Sequence, residues 1–376
     1  MDFIRKGNIQ ALQQWVAQAR RPVVVGHTHP DGDALGSTTA LALYLQSLGL
    51  DVACLYPDTP ADNLRFILNP AIPYFFHDVQ ADDAGQRIAQ ADLIFLVDAN
   101  AFSRTEALEA PLQASSARKV LLDHHLNPDT ASFGLVFSTP DISSASEVVY
   151  WILRSLTEEG FAPQTSGHPR PDKREGPAAG ACAAHGRGRE ATVCGAMPSS
   201  VGEALMIGMT TDTNNFANSV FPSTFQMASE LIAAGVDRDA LLVNIYNSYR
   251  ENRVRLMGYM QSEELHILPN GAAYMVLTRD IQQKFDMRDG ESEGLVNVPL
   301  TIGKVRLSVL LKEDDGHFRV SVRSKKGTSA QQLANKYFHG GGHENAAGGK
   351  LFIGQDIASA QEAPACLEQI LKEYLS

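Results

Sequence analysis

The sequence predicts an α/β protein: an N-terminal domain with a mostly parallel sheet flanked by helices, a helical connector, and a smaller α/β C-terminal domain. Three observations predict it. Short aliphatic runs alternate with helical patterns from residue 22 to about 212, as in βαβ units, whose right-handed crossovers make neighbouring strands parallel. Four apolar segments each lead into a polar cluster that contains an aspartate. Beyond Pro269-Asn-Gly271 the pattern changes to alternating strands and a hairpin signal. A length of 376 residues also favours two domains over one core. The expected divisions are 1–235, a connector over 236–262, and 263–376.

Residues 3–19 read as an amphipathic helix with Ile4, Ile9, Leu12 and Val16 inward. Val23–Val25 form a strand that runs into His27-Thr-His-Pro-Asp31-Gly-Asp33, and a helix follows from Ala34 to Leu48, closed by Gly49. Asp51–Leu55 is the next strand. Ala91–Val97 is a buried strand ending at Asp98, and Lys119–Leu122 is another, ending at Asp123-His124-His125. Glu147–Leu156 is helical. The apolar stretch 203–209 leads into Thr210-Thr-Asp212. Residues 160–200 lack periodicity and are rich in Gly, Ala, Pro and Arg, so a disordered insertion is expected there. Its His168, Cys182, His185 and Cys194 lack the tight ligand pairs of structural zinc sites.

Helices are expected from Ser223 to Leu231 and from Leu241 to Leu265, with Arg250, Arg253 and Arg255 on a solvated face. Ala273–Leu277 is a strand; Lys304–Leu311 and His317–Arg323 pair across Asp314-Asp-Gly316. Ser329–Phe338 is a helix, followed by Gly340-Gly341-Gly342-His343, a strand at 351–353 and a helix at 362–375.

The formal net charge of −11 argues against a surface built to track long DNA or RNA, and it leaves room for a small anionic substrate held locally by metal. Hydrophobic residues make up 44% of the chain, enough for a sizeable core. The four cysteines imply no disulfide framework, and no stretch reads as a signal core or a membrane span, so a cytoplasmic protein is the expectation.

Ligands of parallel sheets sit beyond the carboxyl ends of the strands, so the four aspartate-bearing ends can converge on one crevice. If they do, His27 and Asp31 offer a nitrogen and an oxygen to a first ion, Asp33, His124 and Asp212 serve a second, and Asp98 can bridge both. Nitrogen and oxygen donors without thiolate suit manganese or magnesium. Two such ions form a clamp for phosphoester hydrolysis. His125 could protonate a leaving oxygen or support a ligand, and Asp123 is expected to orient an imidazole. His29 reads as a plain turn residue. The competing structural reading makes Asp33 a helix N-cap. Gly340, Gly341 and Gly342 before His343 suggest an anion-binding nest, with a helix start after Glu344, and Arg323 could fork onto a phosphate.

Together these residues resemble the DHH phosphoesterase superfamily. His27-Thr-His-Pro-Asp31-Gly-Asp33 resembles its first motif, Asp98 the second, Asp123-His124-His125 the third, and Asp212 in Gly-Met-Thr-Thr-Asp-Thr the fourth; Gly340–His343 resembles the signature of the DHH-associated domain. Within the superfamily the chain is similar to the two-domain NrnA-type enzymes. That resemblance implies manganese-dependent hydrolysis of short oligoribonucleotides (nanoRNA) to mononucleotides and release of phosphate from pAp (3′-phosphoadenosine 5′-phosphate). It also implies a nucleotide held by the C-terminal domain through Arg323 and Gly340–His343, across an interdomain cleft. Neither long duplex nucleic acid nor a membrane is expected as a partner, and a homodimer is admissible. Other branches act on linear or cyclic dinucleotides or on pyrophosphate and polyphosphate, and a nucleotide-sensing module without turnover is the non-enzymatic alternative. The stretch at 160–200 departs from the family pattern.

Overall fold

Val23–Val25 lie wholly buried at the centre of a six-stranded sheet, which is why this run carries no polar residue on either face. The computed structural model describes residues 3–161 and 197–376. The chain forms two units, Met1–Ser248 and Tyr249–Ser376. Among the described residues no helix is long and apolar enough to cross a membrane. The expected insertion at 160–200, with its zinc alternative, falls mostly outside the described residues.

In the first unit the order is α1 (Lys6–Gln18), β1 (Pro22–Val25), α2 (Gly32–Ser47), β2 (Ala53–Tyr56), β3 (Tyr74–Phe76), α3 (His77–Gln90), β4 (Leu93–Val97), α4 (Glu109–Ala114), β5 (Arg118–Asp123), β6 (Leu135–Ser138), α5 (Ala145–Glu158), α6 (Ser199–Asp212), α7 (Pro222–Ala233) and α8 (Arg238–Tyr246). The strands pair in the order β3-β2-β1-β4-β5-β6, all parallel. Chain order reverses between β1 and β4, whose register aligns Val25 with Leu96. A parallel sheet opens a crevice at such a reversal, beyond the carboxyl ends of its strands. Both faces are covered. Val24, Tyr56, Phe95 and Leu122 pack under α1, α2, α5 and α6, while Val23, Val25, Leu96 and Leu121 pack against α3 and α4.

The apolar stretch 203–209 is part of a helix, so Asp212 sits at the end of α6 rather than of a strand. Almost every residue from Val201 to Thr210 is buried, and a helix hydrophobic all round shows no period to separate it from a buried strand. α2 and α6 approach closely because Gly36 faces Gly208. A Cβ on Gly36 would stand 2.6 Å from the Ala204 carbonyl oxygen and 2.9 Å from Gly208 Cα. Both neighbours are backbone and cannot turn aside. Gly36→Ala is therefore expected to destabilise the first unit by about 1–3 kcal/mol through overpacking, read as a lowered midpoint of thermal unfolding.

The second unit contains α9 (Glu251–Ser262), β7 (His266–Ile267), β8 (Ala272–Leu277), α10 (Arg279–Lys284), β9 (Leu307–Asp314), β10 (His317–Ser324), α11 (Ala330–Tyr337), β11 (Gly341–His343), β12 (Ala346–Phe352) and α12 (Ala363–Tyr374). Its sheet runs β11-β12-β10-β9-β8-β7 and is mixed, with β8 and β9 parallel. The expected solvated arginine face holds only in part. Arg255 is exposed against Glu251, whereas Arg253 is buried, with its guanidinium over the Tyr249 ring and Nη2 donating to the Glu293 carbonyl. Arg250 reaches Asp286 and the buried Glu291.

No helix starts after Glu344. Gly341–His343 is itself a strand, turning through Glu344 and Asn345 into β12. The glycines answer to close backbone approach. A Cβ on Gly340 would collide with the Gly348 carbonyl, and Gly342 has φ 144°, where a side chain would meet the Ala346 carbonyl.

Candidate metal centre

Each group of the centre comes from the end of an element at the β1–β4 crevice. After β1 the chain turns through His27 to Asp31. His27 Nδ1 lies 2.7 Å from the Thr28 carbonyl oxygen, to which it donates, so Nε2 faces the crevice, 3.5 Å from Asp98 Oδ2. Asp58 holds this turn: it accepts hydrogen bonds from the Thr28 hydroxyl and from the His29 N–H. His29 itself is an exposed turn residue.

The N-cap of α2 is Asp31, not Asp33. Asp31 Oδ1 accepts from Asp33 N and Ala34 N, both at 3.0 Å. Asp33 is turned inward instead, and its two oxygens accept from Ala145 N at 2.7 Å and Ser146 N at 3.0 Å, the first N–H groups of α5. A helix N-terminus is a favourable place for a buried carboxylate. Gly32 between the two aspartates is required because a Cβ there would collide with Thr211, next to Asp212.

Asp98 lies one residue beyond β4 in a left-handed conformation, φ 59°. An aspartate tolerates this region, and strain of this kind gathers at functional sites. Its carboxylate is the hub. His124 Nε2 stands 3.4 Å and His125 Nδ1 3.8 Å from Oδ1. His124 Nε2 is also 3.8 Å from Asp212 Oδ2. His125 is fixed by Asp123, whose Oδ1 lies 2.7 Å from Nδ1 and whose Oδ2 accepts the His125 N–H at 3.0 Å.

The electrostatics are those of a cation site. Burial pushes Asp33 up to about 7, and the nearby Asp98 charge adds to it. Burial and the Asp33 charge push Asp212 well above the carboxylate range. Burial would raise Asp98 too, but His124 and His27 beside it outweigh that and hold it below its usual range. Burial would lower the two imidazoles, yet Asp98 and its acidic neighbours raise His27 to about 9 and His124 to about 10. Protons thus occupy places that a divalent ion can take. Asp98 Oδ1 is buried with no hydrogen-bond partner, a condition that a metal ion relieves. Among the described residues, three groups bring their ligand atoms within 4.8 Å of one another: His27, Asp31 and Asp98; Asp33, His124 and Asp212; and Asp98, His124 and His125. The donor set therefore fits divalent metal. The first two groups are those expected from sequence, with Asp98 adjoining both His124 and His27. The proximity of the His125 ring nitrogen to Asp98 was not.

Sequence reasoning also missed the α5 N-terminus and the buried Glu147, which accepts from Ser143 N, the Ser143 and Thr224 hydroxyls and Trp151 Nε1. Ser144-Ala-Ser-Glu147 is a Ser-x-x-Glu helix-start signal that could have found it. The other expected residues lie in the second unit. Arg323, at the end of β10, is partly buried, which lowers its pKa, and its Nη1 donates to the Val322 carbonyl at 2.9 Å. Gly340 to His343 form the approach to β12 and the strand paired with it.

Residues 21–173 match the DHH family, N-terminal domain, and residues 271–373 match the DHHA1 domain. Over 352 residues the chain is 25% identical to the bifunctional oligoribonuclease and PAP phosphatase NrnA of Bacillus subtilis, covering 93% of this chain and 94% of that protein. It is 25% identical over 353 residues to a probable enzyme of the same name from Streptococcus mutans, with the same coverage. A crystal structure of an exopolyphosphatase-related protein from Bacteroides fragilis is 31% identical, with 99% of this chain and 97% of that one aligned at a TM-score of 0.83.

Proposed function

Because the chain belongs to the DHH family, we propose that it is a divalent-metal-dependent phosphoesterase that hydrolyses short oligoribonucleotides to mononucleotides and converts pAp to AMP. The observation that carries this reading is the buried Asp98 carboxylate, whose Oδ1 accepts no hydrogen bond, among three histidines and three further aspartates. The names of the Bacillus and Streptococcus relatives supply the substrate class.

In this reading His27, Asp31 and Asp98 would hold one ion and Asp33, His124 and Asp212 the other, and the Asp98 carboxylate, with His27 and His124 on its two oxygens, could serve both. Mixed imidazole and carboxylate donors favour manganese, with magnesium as the harder substitute. When bound, such ions supply Lewis acidity to a phosphate ester and to the water that attacks it. The chain's residues do the rest. The α5 N-terminus keeps Asp33 directed inward through the N–H groups of Ala145 and Ser146. Asp123 fixes the His125 ring with Nδ1–H toward itself, which leaves Nε2 as the atom that passes a proton to the leaving oxygen. In the second unit, Arg323 offers guanidinium N–H groups to a substrate phosphate, and Gly340, Gly341, Gly342 and His343 let substrate approach the backbone closely.

A panel of pAp, di- to pentanucleotides, cyclic dinucleotides and pyrophosphate with manganese tests the proposal. AMP from pAp and mononucleotides from the short oligomers are expected. Turnover confined to pyrophosphate or polyphosphate would replace this reading with the one the exopolyphosphatase-related neighbour favours.

Metal binding should also be linked to protons. A metal ligand must be a neutral imidazole, whereas His27 at about 9 and His124 at about 10 are protonated at pH 7 in the metal-free centre. Raising the pH toward this range removes the competing protons, so manganese affinity is expected to rise by roughly tenfold per pH unit for each displaced proton and to level off above it. Calorimetry in buffers of different ionisation enthalpy reads the number released. Affinity flat from pH 6 to 9 would contradict the two histidines as ligands.

A further inference from the structure

Two aromatic rings in the same unit as the centre have no part in the chemistry above. Phe216 and Phe225 stack with centroids 5.3 Å apart and planes inclined by 12°. Phe225 remains 54% exposed. A single exposed phenylalanine needs no explanation, but three further observations set this pair apart. The first concerns the backbone. Asn214, Asn215 and Phe216 have φ of 47°, 57° and 67°, three successive left-handed residues without a glycine, starting two positions after Asp212. Conformations of this kind carry strain and are kept where they place a side chain for a purpose.

The second is the tether on the other ring. Thr224, adjacent to Phe225 in α7, donates its hydroxyl to Glu147 at 2.7 Å, and Glu147 lies in the first turn of α5, next to the N–H groups that hold Asp33. The two rings are thus joined to opposite members of the second metal-ligand group, one through the chain after Asp212 and one through the α5 terminus. The third is Arg238. Its guanidinium sits 5.7 Å from the Phe216 ring centre, and Nη2 donates to the Asn215 side-chain oxygen at 2.5 Å. Arg238 therefore lies over the Phe216 member of the pair, and the exposed Phe225 supplies its open π-face, within the same unit as the metal centre.

We infer that Phe216 and Phe225, flanked by Arg238, form a stacking platform for a nucleobase of the substrate whose phosphate lies at the metal centre. The inference rests on the nucleotide phosphoesterase reading and extends it to base recognition. A metal centre binds any phosphate alike, so preference for a nucleotide over a bare phosphate ester must come from outside it. Stacking on an aromatic face tolerates every base, which suits an enzyme of short oligomers of mixed sequence.

The test compares wild type with Phe225→Ala and Phe225→Trp on two substrates: an adenine dinucleotide, and the same phosphodiester with both bases removed. Phe225 is exposed, so the alanine variant is expected to unfold at the wild-type temperature. Phe225→Ala should raise KM for the dinucleotide by about tenfold with kcat nearly unchanged, leave the abasic substrate unaffected, and be rescued by Phe225→Trp. Equal effects on both substrates, or none on either, overturn the inference while leaving the hydrolase reading intact. A change in oligomeric state of Phe225→Ala without a base-dependent KM also overturns it, by making the face an interface between copies. Calorimetry of AMP with manganese-loaded protein covers the converse case. Binding weakened by Phe225→Ala in a protein that hydrolyses no nucleotide would uphold the platform and sink the activity.

Discussion

Asp98→Ala is expected to lower kcat/KM on pAp and on a dinucleotide by on the order of a thousandfold or more in the presence of manganese. The size follows from position. Asp98 stands between His27, a ligand proposed for the first ion, and His124, a ligand proposed for the second, one carboxylate oxygen toward each, so its loss would remove an oxygen from both proposed ions at once. Metal ions are worth several kcal/mol of transition-state charge stabilisation, and each 1.36 kcal/mol is tenfold in rate, so losing both takes roughly three orders of magnitude. Manganese content measured by elemental analysis should fall with activity. Asp98→Asn, which keeps the shape and removes the charge, should do the same. Either variant retaining both metal and turnover would refute the assignment. Folding is a separate matter: without Asp98 the histidines lose the carboxylate that holds their pKa values up, and they can stay neutral in place.

Legibility of the fold followed burial. Val23–Val25, Leu93–Val97 and the strand ending at Asp123 are sheet-centre strands, covered on both faces, and such strands can only be written as aliphatic runs. The edge strands β3 and β6 were not readable because they are short, three and four residues, and partly exposed, too brief to establish a period. Motif residues were legible as residue types, and their convergence could be anticipated because ligands of parallel sheets sit beyond the carboxyl ends of the strands. Their local roles could not. Asp31 and Asp33 are both placed to cap α2. What separates them is a pair of backbone N–H groups 112 and 113 residues away, which no side-chain pattern records. The expected helix start after Glu344 failed for the opposite reason: a run of glycines permits a helix entry and a tight hairpin equally, and only the partner strand decides.

The same distinction between residue type and local role governs His125. Its Nδ1 is held by Asp123 at 2.7 Å and stands 3.8 Å from Asp98, so it can serve as a proton donor or as support for the cluster. As proton donor to the leaving oxygen it should contribute about 10²–10⁴-fold to kcat. That contribution depends on the leaving group. A nucleoside alkoxide needs a proton, whereas a nitrophenolate departs without one. His125→Gln is therefore expected to lose about a hundredfold or more in kcat on a dinucleotide, to lose much less on a p-nitrophenyl nucleotide ester, and to keep its manganese. Equal loss on both esters together with loss of manganese would assign His125 to the metal. Asp123→Asn should reproduce the leaving-group dependence in weaker form, since the carboxylate acts only by fixing the tautomer and orientation of the ring.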